Sequence, residues 1–195
     1  MKKLTLKTTH NSKLPFIDEC LQCSSNENDF IQLASAKIEN LAIEFYNKIG
    51  EIFDAMGLNV IVTREGDVNC RFDATLIDNS YSIPIEIKSP REDFEINIKA
   101  IRQAFENKII LLSRNFYNTT PNTTSLAIAF TYPPLRSDVY ELIEDIKSAF
   151  GFNIGIVNVA DLLRIVYQIK ANNKQLNFDY FNSFIGKFDY EKAIY

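Results

Sequence analysis

The sequence has little histidine, cysteine, glycine or proline, and it has no tryptophan. Its 195 residues include one histidine, three cysteines, six glycines and six prolines. With His10 as the single histidine, Ser-His-Asp catalysis and zinc sites built from several histidines are disfavoured. The few glycines and prolines exclude collagen-like and low-complexity chains. No apolar run approaches the roughly 20 residues that a membrane-spanning helix needs, so we expect no membrane partner.

The cysteines favour reduced thiols over disulfides or zinc ligands. The odd set Cys20, Cys23 and Cys70 does not make the disulfide framework of a secreted protein. A structural zinc site needs four ligands, and only Cys70 and His10 could complete the Cys20-x-x-Cys23 pair, at spacings that match no common zinc motif. The basic N-terminus continues into polar residues, unlike a signal peptide. We therefore expect a soluble cytoplasmic protein.

Positive charge is not in excess. The chain has 21 Lys and Arg against 25 Asp and Glu, a net charge of −4. This balance argues against a protein that binds nucleic acid through a large excess of positive charge. Hydrophobic residues make up 46%, enough for a core. The length fits one domain with a short extension. We interpret residues 1–28 as a polar N-terminal arm or linker and residues 29–195 as the domain.

Helical and strand-like patterns alternate along the domain. Apolar residues at helical spacing predict one helix over residues 30 to 56. Strand-like segments follow at 59–63, 71–77 and 81–88, and a short polar turn joins the last two into a hairpin. Further on, the pattern predicts a helix over 93–107, strands at 109–113 and 126–130, a helix over 138–150, a strand at 154–157 and a helix over 160–170. Strands flanked by helices predict an α/β sandwich with a central mixed sheet.

Alternation in the hairpin places three charged side chains on one surface. Ile83, Ile85 and Ile87 face one way, so Glu86 and Lys88 face the other. On the partner strand Asp73 also faces away from the apolar side, and antiparallel pairing brings it near Glu86 and Lys88. Two close carboxylates suit a Mg²⁺ ion, and a neighbouring lysine can position water or stabilise developing negative charge. The pattern therefore predicts phosphodiester hydrolysis without histidine.

A plainer interpretation stands beside this one. Glu-x-Lys on an alternating strand is a common solvated surface pattern, so the chain could be an unrelated small α/β protein with a fortuitous motif. Pro84 falls between the isoleucines of the same strand, and proline is disfavoured inside central strands. Pro84 therefore predicts an edge strand or a bulge.

The order of these motifs resembles the PD-(D/E)xK nuclease superfamily, which has the restriction-endonuclease-like fold. In that family a helix with an acidic residue precedes a hairpin that carries Asp and then Glu-x-Lys, and the next helix often carries Gln. Here Glu44, Asp73, Glu86 with Lys88, and Gln103 occur in that order. The resemblance covers roughly residues 35 to 170 and implies a restriction-endonuclease-like α/β sandwich with a central mixed sheet flanked by helices.

The resemblance also implies roles for individual residues. Asp73 and Glu86 would be the Mg²⁺ ligands, with the Ile87 carbonyl as a further candidate, and Lys88 would be the catalytic lysine. Phe72 stands where the family name has proline, a position that varies within the family. For the helical glutamate, spacing to the following strand favours Glu44, and the alternatives Glu51 and Glu39 stay open.

Among such nucleases, the length and acidity resemble the cleavage domain or small catalytic subunit of a type IIS-like restriction endonuclease. Holliday-junction resolvases, transposon or repair nucleases and a non-catalytic DNA-binding or scaffold subunit remain alternatives. The expected substrate is double-stranded DNA. Gln103, Lys99 and Arg102 are candidate DNA contacts within a local basic patch that also includes Lys88, Arg91, Lys108 and Arg114. No base-reading motif is evident, so we expect a recognition domain or subunit, or a second copy in a homodimer.

Overall fold

The computed structural model describes residues 16–39, 41, 44–63, 72–78 and 81–195. Within these residues a mixed sheet has the strand order β1-β2-β3-β4-β5-β6. The strands are β1 Val60–Val62, β2 Ala74–Ile77, β3 Ser82–Ile87, β4 Ser125–Ala129, β5 Ile154–Asn158 and β6 Gly186–Lys187. The helices are α1 Phe16–Cys23, α2 Glu27–Glu39, α3 Phe45–Ala55, α4 Ile98–Leu112, α5 Asp138–Phe150, α6 Val159–Asn172 and α7 Phe178–Ser183.

The sheet has an antiparallel half and a parallel half that meet at β3. β1 pairs antiparallel with β2, and β2 with β3, so the predicted hairpin is confirmed. From β3 onward the pairs β3–β4, β4–β5 and β5–β6 are all parallel. Parallel strands need a crossover, and α4, α5 and α6 with α7 provide these connections. The predicted mixed sheet flanked by helices is therefore confirmed.

Helices cover both faces of the sheet. Successive side chains along a strand point to opposite faces, and each face has its own apolar core. On β4, Leu126 and Ile128 belong to one core, and Ala127 and Ala129 belong to the other. The first core contains buried residues of α1, α2, α3, α6 and α7, whereas the second contains those of α4 and α5. Strands buried on both faces are typical of sheets sandwiched between helices.

Part of the segment expected as a polar arm packs against the domain. Phe16, Ile17 and Cys20 of α1 are buried in the first core. Residues 1–15 lie outside the described part of the chain. The apolar residues of α1 are spaced by one, three and four positions, a helical stripe that the surrounding polar residues obscured in the sequence.

The single helix predicted over residues 30 to 56 is wrong, because two helices occupy that range. α2 ends at Glu39 and α3 begins at Phe45, with Glu44 as its N-cap. Two successive helices that bury their apolar faces in one core keep a helical spacing, so periodicity did not reveal the break. Gly50 lies where α3 approaches β1, since a Cβ there would come within 2.8 Å of a Val62 methyl group.

The strand predicted at 109–113 is also wrong, because these residues are mostly in α4. This helix begins after Asn97, whose side chain accepts a hydrogen bond from the Ala100 amide, and runs to Leu112. The predicted helix start at residue 93 is therefore too early, and its predicted end is too early as well. A short apolar run fits a buried strand and a helix end equally well, so the sequence alone does not separate the two.

Pro84 lies in an interior strand, contrary to the expected edge or bulge. β3 is flanked by β2 and β4, but its pairing with β4 begins only at Ile85. Ser82 and Lys88 donate their backbone N–H groups on the side of β3 away from β2, and Pro84 shares their orientation. Proline has no backbone N–H, so a donor towards β4 is missing at residue 84, just before the parallel pairing begins at Ile85.

The distal half follows the predicted order. α5 is capped by the Ser137 hydroxyl and ends at Gly151, whose φ is 72°. β5 then leads into α6, where the Asn158 side chain caps the helix by accepting from the Asp161 amide. None of the helices in the described ranges has the length and apolar character required to cross a bilayer.

Candidate active site

Three charged side chains meet where β2 begins and β3 ends. Ala74 of β2 pairs with Ile85 of β3, so Asp73 lies beside the end of β3 that carries Glu86. The Asp73 Oδ2 atom accepts a hydrogen bond from the Ile87 amide at 2.8 Å. The Lys88 Nζ atom lies 2.8 Å from Glu86 Oε1. The structure thus brings together Asp73, Glu86 and Lys88, as strand alternation predicted.

The charges of this group are largely removed from solvent. Glu86 is 3% exposed and Lys88 is 5% exposed. Burial, followed by the charge of Glu86, raises the pKa of Asp73 to about 7, although the Ile87 amide and Lys88 oppose this shift. Two neighbouring carboxylates in a poorly solvated site disfavour a second negative charge. The site therefore favours uptake of a positive charge at Asp73, either a proton or a metal cation.

Lys88 stays protonated in this environment. Burial alone would lower the pKa of Lys88, but the hydrogen bond to Glu86 and the charges of Glu86, Asp73 and Glu92 outweigh burial and raise it. A lysine in this state is a hydrogen-bond donor and a cation, and it cannot accept a proton from water. Its chemistry is therefore restricted to electrostatic stabilisation and donation.

The second oxygen of Glu86 is held by the helix that covers this face of the sheet. Asn107 of α4 donates from Nδ2 to Glu86 Oε2 at 3.0 Å, and both residues are buried. Both oxygens of Glu86 are therefore held in place, Oε1 by the ion pair with Lys88 and Oε2 by the hydrogen bond from Asn107.

A further carboxylate borders the site. Glu92, in the turn after β3, accepts hydrogen bonds at Oε2 from the Tyr46 hydroxyl at 2.7 Å and from the Ser89 amide and hydroxyl at 3.0 Å each. Although burial opposes the shift, these donors lower the pKa of Glu92. Burial and the bond to Glu92 raise the pKa of Tyr46, and the charges of Asp73 and Glu86 add to this shift. The beginning of α3 is thus tied to the turn beside the site.

The donor atoms present fit a hard cation with few protein ligands. Asp73 and Glu86 supply carboxylate oxygens, and Mg²⁺ is commonly held by one or two carboxylates together with water and substrate phosphate. Within the described ranges, no group of three or more His, Cys, Asp or Glu residues is arranged to hold a metal. These two carboxylates therefore suit an ion that keeps part of its water shell. The roles of Asp73 and Glu86 as metal ligands stay a prediction.

The candidate helical glutamates are distributed over two helices. Glu44 is the exposed N-cap of α3, two residues before Tyr46, and its side chain forms no capping hydrogen bond. Glu51 pairs with Lys48 at 2.7 Å on α3. Glu39 is exposed at the end of α2. The link from Tyr46 to Glu92 brings the Glu44 end of α3 towards the site, so Glu44 stays the preferred prediction.

The candidate DNA contacts lie on α4 in different surroundings. Lys99 and Arg102 are exposed and line an open pocket of about 540 Å³ between the first turns of α4 and α5. Gln103 points inward, and its Oε1 atom is buried without a hydrogen-bond partner among the described residues. Gln103 makes no observed contact with Asp73 or Glu86, and its predicted role stays untested.

The predicted basic patch is smaller than expected. Lys108 is fully buried and donates to the Thr119 hydroxyl at 3.0 Å and the Thr123 carbonyl at 2.6 Å. Burial lowers the pKa of Lys108 to about 7. Lys88 is also buried and paired with Glu86. Neither lysine supplies surface charge.

The two cysteines within the described residues lie on α1. Cys20 is a buried free thiol of α1 and Cys23 is an exposed one. Cys70 and His10, the remaining candidates for a zinc set, are outside the described residues.

Sequence patterns did not identify Asn107, Tyr46 or Glu92. Asn107 is the last residue of the predicted helix. Its place in the buried stripe, between Ala104 and Leu111, becomes visible only when the helix runs to residue 112. No short-range signal joins Tyr46 to Glu92, because they are 46 residues apart.

Two solved structures of the restriction endonuclease FokI are similar to this chain. One is FokI alone, with a TM-score of 0.60 and 14% identity over 97% of this chain. The other is FokI bound to DNA, with a TM-score of 0.57 and 15% identity over 89% of this chain. This chain spans about a third of the FokI chains, 36% and 33% respectively. The predicted restriction-endonuclease-like fold is confirmed. No family model and no curated protein matches the sequence.

Proposed function

We propose that this chain is a Mg²⁺-dependent DNA endonuclease, and that it acts as the cleavage domain or catalytic subunit of a type II, IIS-like restriction endonuclease. The observation that carries the proposal is the group formed by half-buried Asp73 with buried Glu86 and Lys88. In this group a lysine cation contacts one carboxylate, and the second carboxylate has a pKa of about 7. The FokI-like fold supports it, and one of the similar FokI structures is bound to DNA.

In this proposal Asp73 and Glu86 hold the metal, with the Ile87 carbonyl as a further candidate ligand. When bound, Mg²⁺ lowers the pKa of its water and stabilises charge on a phosphoryl oxygen. The Ile87 amide orients Asp73 by donating to Oδ2, so the Oδ1 atom of Asp73 points away from this amide. Burial of Glu86 restricts competing water at the carboxylates.

Lys88 acts as the cationic donor. Because its pKa is raised, it is protonated at neutral pH and can donate to the attacking water or to the phosphoryl oxygen where negative charge develops. It cannot serve as the base that activates water. The proton of the attacking water would therefore pass to solvent or to a substrate phosphate oxygen, and a bound Mg²⁺ would supply the activation of that water.

The proposal is tested by DNA cleavage with and without Mg²⁺. We expect the wild-type chain to cut duplex DNA only with Mg²⁺, and Lys88→Ala to lower the rate by about 100-fold or more, as for removal of an electrostatic donor. Lys192→Ala is the control, because this lysine is exposed and its ion pair is with Asp189, in the segment that follows α7. Equal rates for wild type and Lys88→Ala would contradict the mechanism.

The substrate and partner are tested with the same chain. We propose duplex DNA as substrate and a separate recognition domain, subunit or second copy as partner, because no base-reading motif is present and the net charge is −4. Sequencing of the cut ends should show little sequence preference for the isolated chain. A single defined site would contradict the need for a recognition partner. Preference for a four-way junction would instead favour a resolvase-like nuclease, and Mg²⁺-independent DNA binding without cleavage would favour a scaffold subunit.

A further inference from the structure

The carboxylate of Glu86 has two side-chain contacts, one with Lys88 and one with Asn107. The proposed chemistry changes the first and leaves the second intact. Its Oε1 atom lies 2.8 Å from Lys88 Nζ, and its Oε2 atom accepts from Asn107 Nδ2 at 3.0 Å. In the proposed function a metal cation at Glu86 would compete with the Lys88 ammonium for the carboxylate, so the ion pair at Oε1 is the contact that is open to change. Asn107 then remains as the side-chain donor to Glu86 in the part of the chain that the structure describes.

The position of Asn107 in α4 is otherwise apolar. It is 4% exposed and lies in the buried stripe with Ala100, Ala104 and Leu111. An asparagine buried without partners costs free energy, whereas a hydrogen bond to a charged acceptor offsets that cost. The hydrogen bond to Glu86 is therefore the described interaction that accounts for a buried amide at this position.

The geometry of the bond defines what Asn107 controls. A carboxylate accepts hydrogen bonds and does not donate, so the amide NH₂ group must face Glu86. The terminal torsion of a glutamate has broad energy wells, and a single fixed donor restricts it. Gln103, one helical turn earlier, has a buried oxygen without a partner among the described residues.

We infer that Asn107 is a positioning residue that keeps Glu86 oriented for metal binding when Lys88 leaves it. This inference rests on the proposed function. Partners that orient metal ligands in this way change metal affinity by about 10- to 100-fold when they are removed. Asn107 does not touch the reacting atoms, and its effect passes through Glu86.

The test is calorimetric titration of the full chain with Mn²⁺ in the absence of DNA, together with the Mg²⁺ dependence of cleavage. For Asn107→Leu, which matches the size of asparagine without its donor, we expect about 10-fold weaker Mn²⁺ binding. The Mg²⁺ concentration for half-maximal cleavage should rise by a similar factor, while the rate at saturating Mg²⁺ changes less. A purely structural role would lower stability without this split.

The control is Asn182→Leu. Asn182 is also a buried asparagine, 5% exposed, and its Nδ2 atom has no partner among the described residues. It lies in α7 and should leave Mn²⁺ affinity unchanged. If Asn107→Leu does not fold, Asn107→Ala, which leaves space for water, is compared instead.

The outcomes separate this inference from the proposed function. Wild-type chain that binds no Mn²⁺ and does not cleave contradicts the proposed function. Wild-type chain that binds Mn²⁺ with an affinity equal to that of the folded Asn107 variant contradicts the role of Asn107 alone. Weaker binding in the Asn107 variant with unchanged binding in Asn182→Leu supports the inference.

Discussion

At the scale of residues, Asp73 stands in an environment that opposes its own ionisation. Burial and the charge of Glu86 raise its pKa to about 7, whereas the ordinary value is 3.8. The unfolded chain loses this proton near pH 4, and the folded chain retains it until about pH 7. The unfolded state therefore binds fewer protons between these limits, and the contribution of Asp73 to stability decreases as pH rises from about 4 to 7.

We predict that Asp73→Asn stabilises the protein at pH 8 and abolishes cleavage. Asparagine keeps an oxygen that can accept from the Ile87 amide but has no charge for Glu86 to repel. With a chelator present, the free energy of unfolding at pH 8 should rise by about 1–3 kcal/mol relative to wild type, since one pKa unit corresponds to about 1.4 kcal/mol. Denaturant unfolding at several pH values measures this gain.

The gain should shrink as pH falls towards 4 and disappear below the unfolded-state pKa of 3.8, where Asp73 is protonated in both states. Asp179→Asn, which removes an exposed carboxylate of α7, controls for the change in net charge. A gain for Asp73→Asn that is the same at pH 4 and pH 8 would show that charge repulsion at this position is not its cause.

The residues of the site differ in how far the sequence could predict them. Asp73, Glu86 and Lys88 lie within one hairpin, where alternation with period two determines the face of each residue. Asn107 and Tyr46 reach the site across packed helices, and their contacts depend on how α4 and α3 lie on the sheet. That packing has no signature in the local spacing of residues, so these two were missed.

At the scale of elements, the strands at the centre of the sheet were more predictable than the helix boundaries, although residues 109–113 were mistaken for a strand and β6 was not predicted. The four strands β2 to β5 coincide with short β-branched and apolar segments, and each was predicted at the right place. The boundaries of α2, α3 and α4 depend on turns between apolar segments, where the same residues fit two assignments. Asn97 is a good helix cap by residue type, but the predicted helix began at residue 93, before this cap.

β5 packs against the segment after α7 so closely that one position admits no side chain. A Cβ at Gly155 would lie 2.5 Å from the Phe184 ring and 2.7 Å from a Thr124 methyl group. We predict that Gly155→Ala lowers the free energy of unfolding by about 1–3 kcal/mol, as overpacking in a filled core does. Denaturant unfolding of the purified variant measures this loss.

A second substitution identifies the cause of that loss. Phe184→Leu removes the ring atoms that a new Cβ would meet, so the double variant Gly155→Ala/Phe184→Leu should lose less stability than the two single variants added together. Additive losses would mean that the ring does not limit position 155.

At the scale of the whole molecule, few cations are exposed around the site. Lys88 and Lys108 are buried, and Arg114 is half-buried over the Phe72 ring. Arg91, Lys99 and Arg102 are exposed, in the turn after β3 and at the start of α4. The overall charge of −4 adds no attraction for DNA. We therefore expect weak DNA binding by the isolated chain that depends on a few local contacts.

We predict that Lys99→Ala/Arg102→Ala weakens DNA binding and makes its salt dependence shallower. In a Lys88→Ala background that prevents cutting, the slope of log affinity against log salt should decrease in magnitude by about 2, because each substitution removes one cation that pairs with a phosphate. Fluorescence anisotropy with duplex DNA at several salt concentrations measures the slope.

Lys170→Ala/Lys174→Ala is the matched control, because both lysines are exposed at the end of α6 and just beyond it, and α6 covers the opposite face of the sheet from α4. An equal change in slope for the two double variants would mean that the start of α4 has no particular contact with DNA.

β3 carries Glu86 in the middle of the sheet, with all six of its residues buried and a partner strand on each side. Its backbone amides should exchange with solvent deuterium only through global opening, whereas those of the edge strands β1 and β6 can exchange through local fraying. Heat, mild denaturant or a protease acting on the edges would then leave the Glu86–Lys88 pair assembled. We expect the site to persist through partial unfolding and to disappear in one step, together with the last protected amides of the sheet.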